Sequence, residues 1–534
     1  METIGTWFTT TVEAVNSWVW SPALVALCLI AGLYFSFRTR FVQVRRFGEM
    51  FRLLFGSAGK EKKTAPEGGL APVRSRRPGI SSFQAFAMAL SGRVGTGNIV
   101  GVATAIGFGG PGAIVWMWII AFFGAGSAFV EATLAQIYKE DHNGQFRGGP
   151  AYYIEKGLHS PFFGCLFAVL AAVAAGFLLP PIHSNSISVS FARTFGIPAW
   201  VAGIGVALLI ALVIIGGVKR IANVAQIVAP VMAMVYIILA IVVLVVNWQL
   251  VPDVFMQMLR GAVGVNEVGG AILGSTIAWG VKRGIYSNEA GQGTGAIVAA
   301  AAKVSHPVKQ GLVQAFSVYI DTLLVCTATA MMILACKTYN IIDTVQQTAA
   351  GPVVTYLHQN PLAPEGEPSV FYTTNALGTV VGPRTGDLII SVALFFFAFT
   401  TIMAYYYYAE TNLVYLFNRW RRRVYRKHPE RLDELEEADM HFGDDRGEKA
   451  TIWVLRILTI SAVLMGSMLG SGIVWTIGDI GVGTMAWINV VAILLLSPKA
   501  LRSLKDYERQ KKAGQEPRFD PKGLDIENAE FWEE

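Results

Sequence analysis

Charge is scarce in this sequence. Asp, Glu, Lys and Arg make up 15% of its 534 residues, against 53% apolar ones, and the mean hydropathy is +0.47. A soluble chain of this length needs more charge to cover its surface. Cysteine is scarce too. Cys28, Cys165, Cys326 and Cys336 all lie in or beside apolar runs, and none has CxxC spacing. That excludes a zinc-knuckle framework, leaves the redox compartment unread, and makes the four small packing residues. The opening METIGTWFTTTVEAVNSWVW has no Lys or Arg and contains Glu2 and Glu13. A cleaved signal needs a positive start, so the first apolar run is expected to stay in the protein. Short alternating segments are missing, which excludes a β-barrel. No ATP-binding module is visible, and no nucleophile–base or metal constellation, so an enzyme is not expected. The formal charge of +6 is small and sits in loops rather than on a basic soluble domain. Nucleic acid is therefore not an expected partner, and no obligate protein partner is evident.

What the chain has instead is long apolar runs. Several reach the roughly 20 residues that a helix needs to cross a bilayer, so the expected fold is an all-α polytopic membrane protein. Hydropathy gives about eleven spans: 18–37, 80–107, 112–137, 161–192, 199–216, 222–247, 267–302, 308–336, 386–417, 451–470 and 472–496. The loop after the first holds Arg38, Arg40, Arg45, Arg46, Arg52, Lys60, Lys62, Lys63, Arg74, Arg76 and Arg77, and basic loops stay in the cytoplasm. The N-terminus is then outside. Every second connection agrees: Lys139, Arg147 and Lys156; Lys219 and Arg220; Lys303 and Lys309; NRWRRRVYRK at 418–427; and the tail from Lys499. The reading is a multi-pass protein of the cell membrane, a bacterial inner membrane, with its C-terminus cytoplasmic. The outer loop 337–384 carries turn signals and two readings, a cover over an outer vestibule or a solvated connection. The inner loop 418–450 and the tail 498–534 are charged and expected to be partly mobile.

Two apolar runs are interrupted. SGRVGTGNIVG, residues 91–101, holds four glycines with Arg93, Thr96 and Asn98. At about 1.5 Å per residue from Ile80 it sits near the bilayer midplane. Glycine costs about 1 kcal/mol in a helix interior, and irregular backbone at that depth survives only where it lines a cavity or is buried in protein. Helix packing accounts for Gly97 and Gly101 but not for the polar residues between them. A phosphate loop fails because no strand precedes it. The second interruption is WGVKRGIYSNEAGQGTG, 279–295, with five glycines and Lys282, Arg283, Asn288 and Glu289. Without the extra first helix, the breaks fall in helices 1 and 6 of ten. Interrupted segments at matching positions of two inverted halves point to the binding site of a secondary transporter. The expected organisation is an N-terminal helix and basic loop (1–79), a first repeat of five helices (80–247) and a second of five (267–497), ahead of the tail. Glu131, Asp321 and Asp479 are buried ionisable candidates for ion pairs or gates, with Arg93, Lys282 and Arg283 as partners.

SGRVGTGNIVGVATAIGFGGPGA, RGGPAYYIEKGL, WGVKRGIYSNEAGQGTG and HPVKQGLVQAFSVYIDTLLVCTATA strongly resemble the alanine/glycine:cation (sodium:alanine) symporter family, over about residues 80–495. The resemblance implies the leucine-transporter (LeuT) structural class. It implies a secondary active symporter importing a small neutral amino acid such as alanine or glycine, with sodium co-transported and no organic cofactor. It also implies roles. Amides around Thr96, Gly97 and Asn98 face the substrate carboxylate at the positive end of a half-helix. Freed carbonyls near Trp279 and Gly280 take the ammonium, and Trp279 walls the pocket. Sodium, a hard cation, meets Thr400 and Thr401, the carbonyls of Ser91 and Val94, and that of Phe397. Asn98 is a second sodium ligand. Threonines bonding back to their own helix are the plainer reading of Thr400 and Thr401. One departure stands out: LPPIHSNSIS at 179–188 puts His183 where the family has glutamine, while Asn185 and Ser186 remain. Histidine titrates near neutrality, so alanine or glycine as substrate is put in question there. The alternatives are a proton-coupled transporter, with His183 or Glu131 as carrier, and a channel or sensor.

Overall fold

In the computed structural model, residues 2–55, 79–142, 144–264, 271–348, 351–366, 368–427 and 446–533 are described. Outside them lie Lys60, Lys62, Lys63, Arg74, Arg76 and Arg77 of the basic loop, the start of the 267–302 span and residues 428–445 of the loop at 418–450. The protein is mostly helical. Among the described residues, eight helices are long and apolar enough to cross a membrane: Trp7–Arg38, Ala113–Ile137, Pro161–Phe195, Gly217–Val246, Pro307–Ala335, Pro383–Val424, Arg446–Met468 and Ser471–Lys512. Gly97–Gly109 and Ala199–Ile214 are apolar but shorter. The first interrupted span is divided into two short helices, and the 18-residue helix of the second, Ala271–Asn288, is made less apolar by Lys282 and Arg283.

Three elements differ from expectation. The first helix was expected at 18–37, but a helix already runs over Glu2–Val19 and a second over Pro22–Arg38. The first is polar on one side, so hydropathy does not detect it. Its end is pinned by Trp487 Nε1 donating to Val19 O at 2.9 Å and by Trp20 Nε1 donating to Asp479 O at 2.8 Å. The 337–384 segment is not coil: β1 (Ile341–Thr348) pairs antiparallel with β2 (Gly351–His358), and helix Phe371–Val381 follows. The tail is not loose. Helix Ser471–Lys512 continues through Pro498, and the chain then folds back, with Phe519 N donating to Ser305 O at 3.0 Å and Trp532 Nε1 to Gln136 O at 2.9 Å. Trp532 and Phe531 also close around Lys139, whose Nζ lies 5.0 and 4.4 Å from their ring centres.

The core is centred on the broken helices. Helix Pro383–Lys427 carries Tyr405, Tyr406, Tyr407 and Tyr408 in succession, all buried. A helix buried on every face lies inside a bundle.

Candidate functional site

The first interruption is a true break. A capping box of Ser81 and Gln84 starts helix Ser82–Arg93. The helix ends at Val94, whose ψ of 87° turns its carbonyl out of the helical direction. Gly95 follows, and a π turn over Gly97–Gly101 restarts the run into helix Val102–Gly109. The glycines are needed for close approach. A Cβ on Gly95 would lie 2.4 Å from Thr401 Oγ1, and one on Gly97 3.2 Å from the Tyr286 ring and 3.3 Å from Ser287 Cα. Asn98 caps the break: its Oδ1 accepts from Gly95 N at 2.8 Å.

The second break lies later than the sequence suggested. Helix Ala271–Asn288 runs uninterrupted through Trp279 and Gly280, so their carbonyls belong to a regular helix and are not freed. Gly280 is a packing residue, since a Cβ there would sit 2.5 Å from Ala113 O. The chain departs from the helix at Glu289 (φ 57°), Gly291 (φ 84°) and Gly293 (φ 92°), and helix Thr294–Ala300 follows. Trp279 stacks on Phe108 at 4.6 Å.

Between the breaks sits a carboxylate that the motifs gave no role in binding. Asp321 lies in a π-helical stretch, Tyr319–Cys326. It accepts from Asn98 Nδ2 at 2.7 Å, from Ser287 Oγ at 3.0 and 3.1 Å, and from Thr322 Oγ1 at 2.7 Å. Cys326 Sγ touches Asn98 Nδ2 at 3.2 Å. All five residues are fully or nearly fully buried. One carboxylate thus joins the first broken helix, the end of the second and a third helix. Ser287 lies in the second interruption, where nothing distinguishes it from its polar neighbours Asn288 and Glu289, and a lone Cys326 in an apolar run carries no signal.

The expected sodium ligands separate. Thr401 Oγ1 lies 2.9 Å from Ser91 O and 2.8 Å from Phe397 O, with Val94 and Gly95 at the adjoining break. Thr400 turns away. Its hydroxyl donates to Phe396 O at 2.9 Å and Phe397 O at 3.1 Å, and faces Met232 Sδ at 3.8 Å. Successive helical residues point about 100° apart, so one threonine reaches the break and its neighbour bonds back to its own helix.

His183 and Asn185 separate for the same reason. Helix Pro180–Phe195 presents His183 to the break: Nδ1 is 3.1 Å from Thr96 Oγ1, the ring meets Tyr405 edge-on at 5.3 Å, and Nε2 has no partner. Asn185 instead fastens the turn between two later helices. It donates to Gly466 O at 3.0 Å and Leu469 O at 2.7 Å, and accepts from Ser471 Oγ at 2.8 Å. Its side chain is fully engaged there and takes no part in the Thr96–His183 cluster.

A cavity of about 730 Å³ lies between Val100, Thr104 and Phe108 of the first broken helix and the β1–β2 hairpin. Its lining includes Glu13 of the N-terminal helix, Asn185, Trp279, Asp343, Glu365 and Phe371. The 337–384 segment thus contributes part of the wall of this cavity. At its base Lys282 Nζ and Arg283 Nη2 each lie 2.6 Å from Asp479 Oδ2. The Arg283 guanidinium also sits 4.9 Å from the Trp475 ring and 5.1 Å from Trp279.

Comparison with known proteins shows the family. The family model described as the sodium:alanine symporter family matches residues 5–428 and 437–521. YrbD of Bacillus subtilis (strain 168) is 48% identical over 98% of this chain and 97% of its own. The sodium/proton-dependent alanine carrier protein of Bacillus sp. (strain PS3) is 44% identical over 86% of this chain and 95% of its own. The amino-acid carrier protein AlsT of Bacillus subtilis (strain 168) is 36% identical over 99% and 98%. A Na+-coupled sialic acid symporter, solved in a substrate-bound outward-open state, aligns with a TM-score of 0.47 at 12% identity over 94% of this chain and 92% of that one, too loosely to bear on the site.

Proposed function

The chain belongs to the sodium:alanine symporter family, and on that premise we propose that it imports alanine, or an amino acid of similar size, driven by sodium entering down its gradient. The observation that carries this reading is the meeting of Asn98, Ser287 and Asp321 where the two broken helices touch. The substrate carboxylate lies against the amides of Thr96 and Gly97, at the N-terminal, positive end of the outer half-helix. Its ammonium pairs with Asp321, and His183 borders the side chain. One sodium is held by Thr401 Oγ1 with the carbonyls of Ser91, Val94 and Phe397. A second lies beside Asn98 and Asp321. Trp279 and the Lys282–Arg283–Asp479 cluster close the path from the vestibule.

Coupling follows from shared ligands. Sodium at Thr401 fixes the break that presents the Thr96 and Gly97 amides, so it raises substrate affinity, and by linkage substrate raises sodium affinity equally. In this reading eleven spans are arranged as one N-terminal helix and two inverted repeats of five, residues 80–247 and 267–497, in the LeuT-like manner. The N-terminus and the vestibule are outside and the tail is cytoplasmic. Rocking of one bundle against the rest exposes the site alternately. Proton coupling is the second reading, favoured by the likeness to the sodium/proton-dependent alanine carrier protein of Bacillus sp. (strain PS3).

The test is uptake of labelled alanine, glycine, serine and glutamine into proteoliposomes under sodium, lithium or proton gradients. Saturable alanine uptake that follows sodium is expected. Uptake indifferent to every cation gradient refutes the reading.

A further inference from the structure

Glu131 and Glu289 are fully buried, yet neither lies within ion-pair distance of a basic side chain among the described residues. Glu131, on helix Ala113–Ile137, accepts from Asn489 Nδ2 at 3.0 Å through Oε2, and its Oε1 has no partner. Glu289 is the left-handed residue of the second break. Its Oε2 accepts from the Tyr408 hydroxyl at 3.2 Å and its Oε1 is unpartnered, with Thr294 beside it. Asn489 links the two: it also donates to Gly291 O at 2.9 Å, in the loop that carries Glu289, and accepts from the Tyr153 hydroxyl. Gln292, in the same loop, is buried with both side-chain polar atoms unpartnered.

The cation whose charge reaches both carboxylates is Arg93. Its hydrogen bonds go to neutral acceptors, from Nε to Asn288 O at 2.7 Å and from Nη1 to Gln314 Oε1 at 3.1 Å and Ser317 Oγ, while its buried Nη2 has no partner. An ionised carboxylate buried without a partner is costly. Two carboxylates beside one guanidinium balance only when one of them carries a proton. Asp321, whose charge also reaches Glu289, differs from both. Its two oxygens are occupied by donors, an arrangement suited to a carboxylate that receives a cation. Asp321, Glu131 and Glu289 against Arg93 leave a deficit of two positive charges. The substrate is a zwitterion and adds no net charge, so the sodium beside Asp321 fills one and a proton the other.

We propose that Glu131 and Glu289 form a proton-binding pair that holds one proton between them and carries it with the amino acid. This rests on the symporter reading and deepens it. The proton leaves hydronium on the outer side, binds a carboxylate oxygen, and returns to water on the inner side. Tyr153, Tyr408 and Asn489 position the pair, and Arg93 keeps the remaining carboxylate ionised.

The test uses the full chain in proteoliposomes with the pH dye pyranine trapped inside. In the wild type, alanine uptake acidifies the lumen. Glu131→Gln and Glu289→Gln lose acidification per alanine taken up, and their uptake no longer varies with external pH. Glu508→Gln, an acidic residue paired with Arg45 far from the site, keeps both properties. A merely structural network would lower uptake without altering protons per alanine or the shape of the pH profile, and that result overturns the proposal. So does a wild type that moves alanine with sodium but no proton, whereas a wild type that moves no alanine under any gradient fails the symporter reading instead. Should the variants not fold, dicyclohexylcarbodiimide, which reacts with protonated carboxyls in apolar surroundings, decides on the wild type. An adduct at Glu131 or Glu289 near neutral pH supports the pair, and labelling elsewhere only overturns it.

Discussion

Thr401→Ala isolates the sodium ligand set. The hydroxyl lies 2.9 Å from Ser91 O and 2.8 Å from Phe397 O, so a cation seated among these oxygens loses one of its neutral ligands. Contacts between a charge and a hydrogen-bonding group contribute about 1.5–3 kcal/mol. At 1.4 kcal/mol per factor of ten, the sodium concentration for half-maximal uptake should rise about 10- to 150-fold. Folding loses only a neutral hydrogen bond, about 1 kcal/mol, so the protein should reach the membrane. Thr400→Ala is the control. Its hydroxyl bonds back to Phe396 O and Phe397 O, and the sodium requirement should change by less than about threefold, the effect of a few tenths of a kcal/mol. Thr401→Ser should restore most of the loss. The assay is initial-rate alanine uptake against sodium concentration, with osmolarity held constant. Unchanged sodium activation in Thr401→Ala, or an equal defect in Thr400→Ala, refutes the site.

Asp321→Asn removes the carboxylate that joins three helices, and truncating a buried charge partner costs about 2–5 kcal/mol. Substrate affinity should fall by at least about 30-fold, read as KM for alanine; an unchanged KM would remove Asp321 from the site. Gly95→Ala should mimic Thr401→Ala, because its Cβ would lie 2.4 Å from the Thr401 hydroxyl. Gly280→Ala, with backbone oxygen of Ala113 at 2.5 Å, should instead lower the thermal midpoint through overpacking of about 1–3 kcal/mol and leave the sodium requirement of the folded fraction alone. On the tail side, burial pushes His306 down from 6.5 to about 4. The folded form then binds fewer protons than the unfolded, so stability is full above about pH 6.5 and declines toward pH 4. His306 packs 5.1 Å from the Tyr507 ring and 5.4 Å from Phe519, beside Asp506 and Lys309. Backbone hydrogen exchange over 514–533, corrected for its intrinsic pH dependence, should accelerate across that window; constant protection would contradict it.

The first break was legible because helix packing alone does not explain Arg93, Thr96 and Asn98 among glycines in an apolar run. The second was located nine residues early. Its stretch mixes two kinds of glycine that a sequence does not distinguish. Gly280 and Gly284 let helix Ala271–Asn288 press against Ala113 and Ile120, whereas Gly291 and Gly293 supply the positive φ of the break. A motif carried over residue by residue also loses the helical phase. Thr400 and Thr401, like His183 and Asn185, are close in sequence but face different neighbours, and only one of each pair reaches Thr96 or Ser91. Composition misled at the ends. The threonines and glutamates of helix Glu2–Val19 dilute its hydropathy, and the tail's charges hide Phe519, Phe531 and Trp532, which dock it beside His306 and Lys139. Asp321 stood out as an acid in an apolar helix, but its position between the breaks depends on π-helical winding over Tyr319–Cys326. Such winding shifts the phase of every later residue in the helix, and no periodicity in the sequence announces it. The residues proposed to bind cations are therefore the ones whose placement needs the fold, because helical phase at Thr401, the break at Val94 and π winding at Asp321 set what each faces.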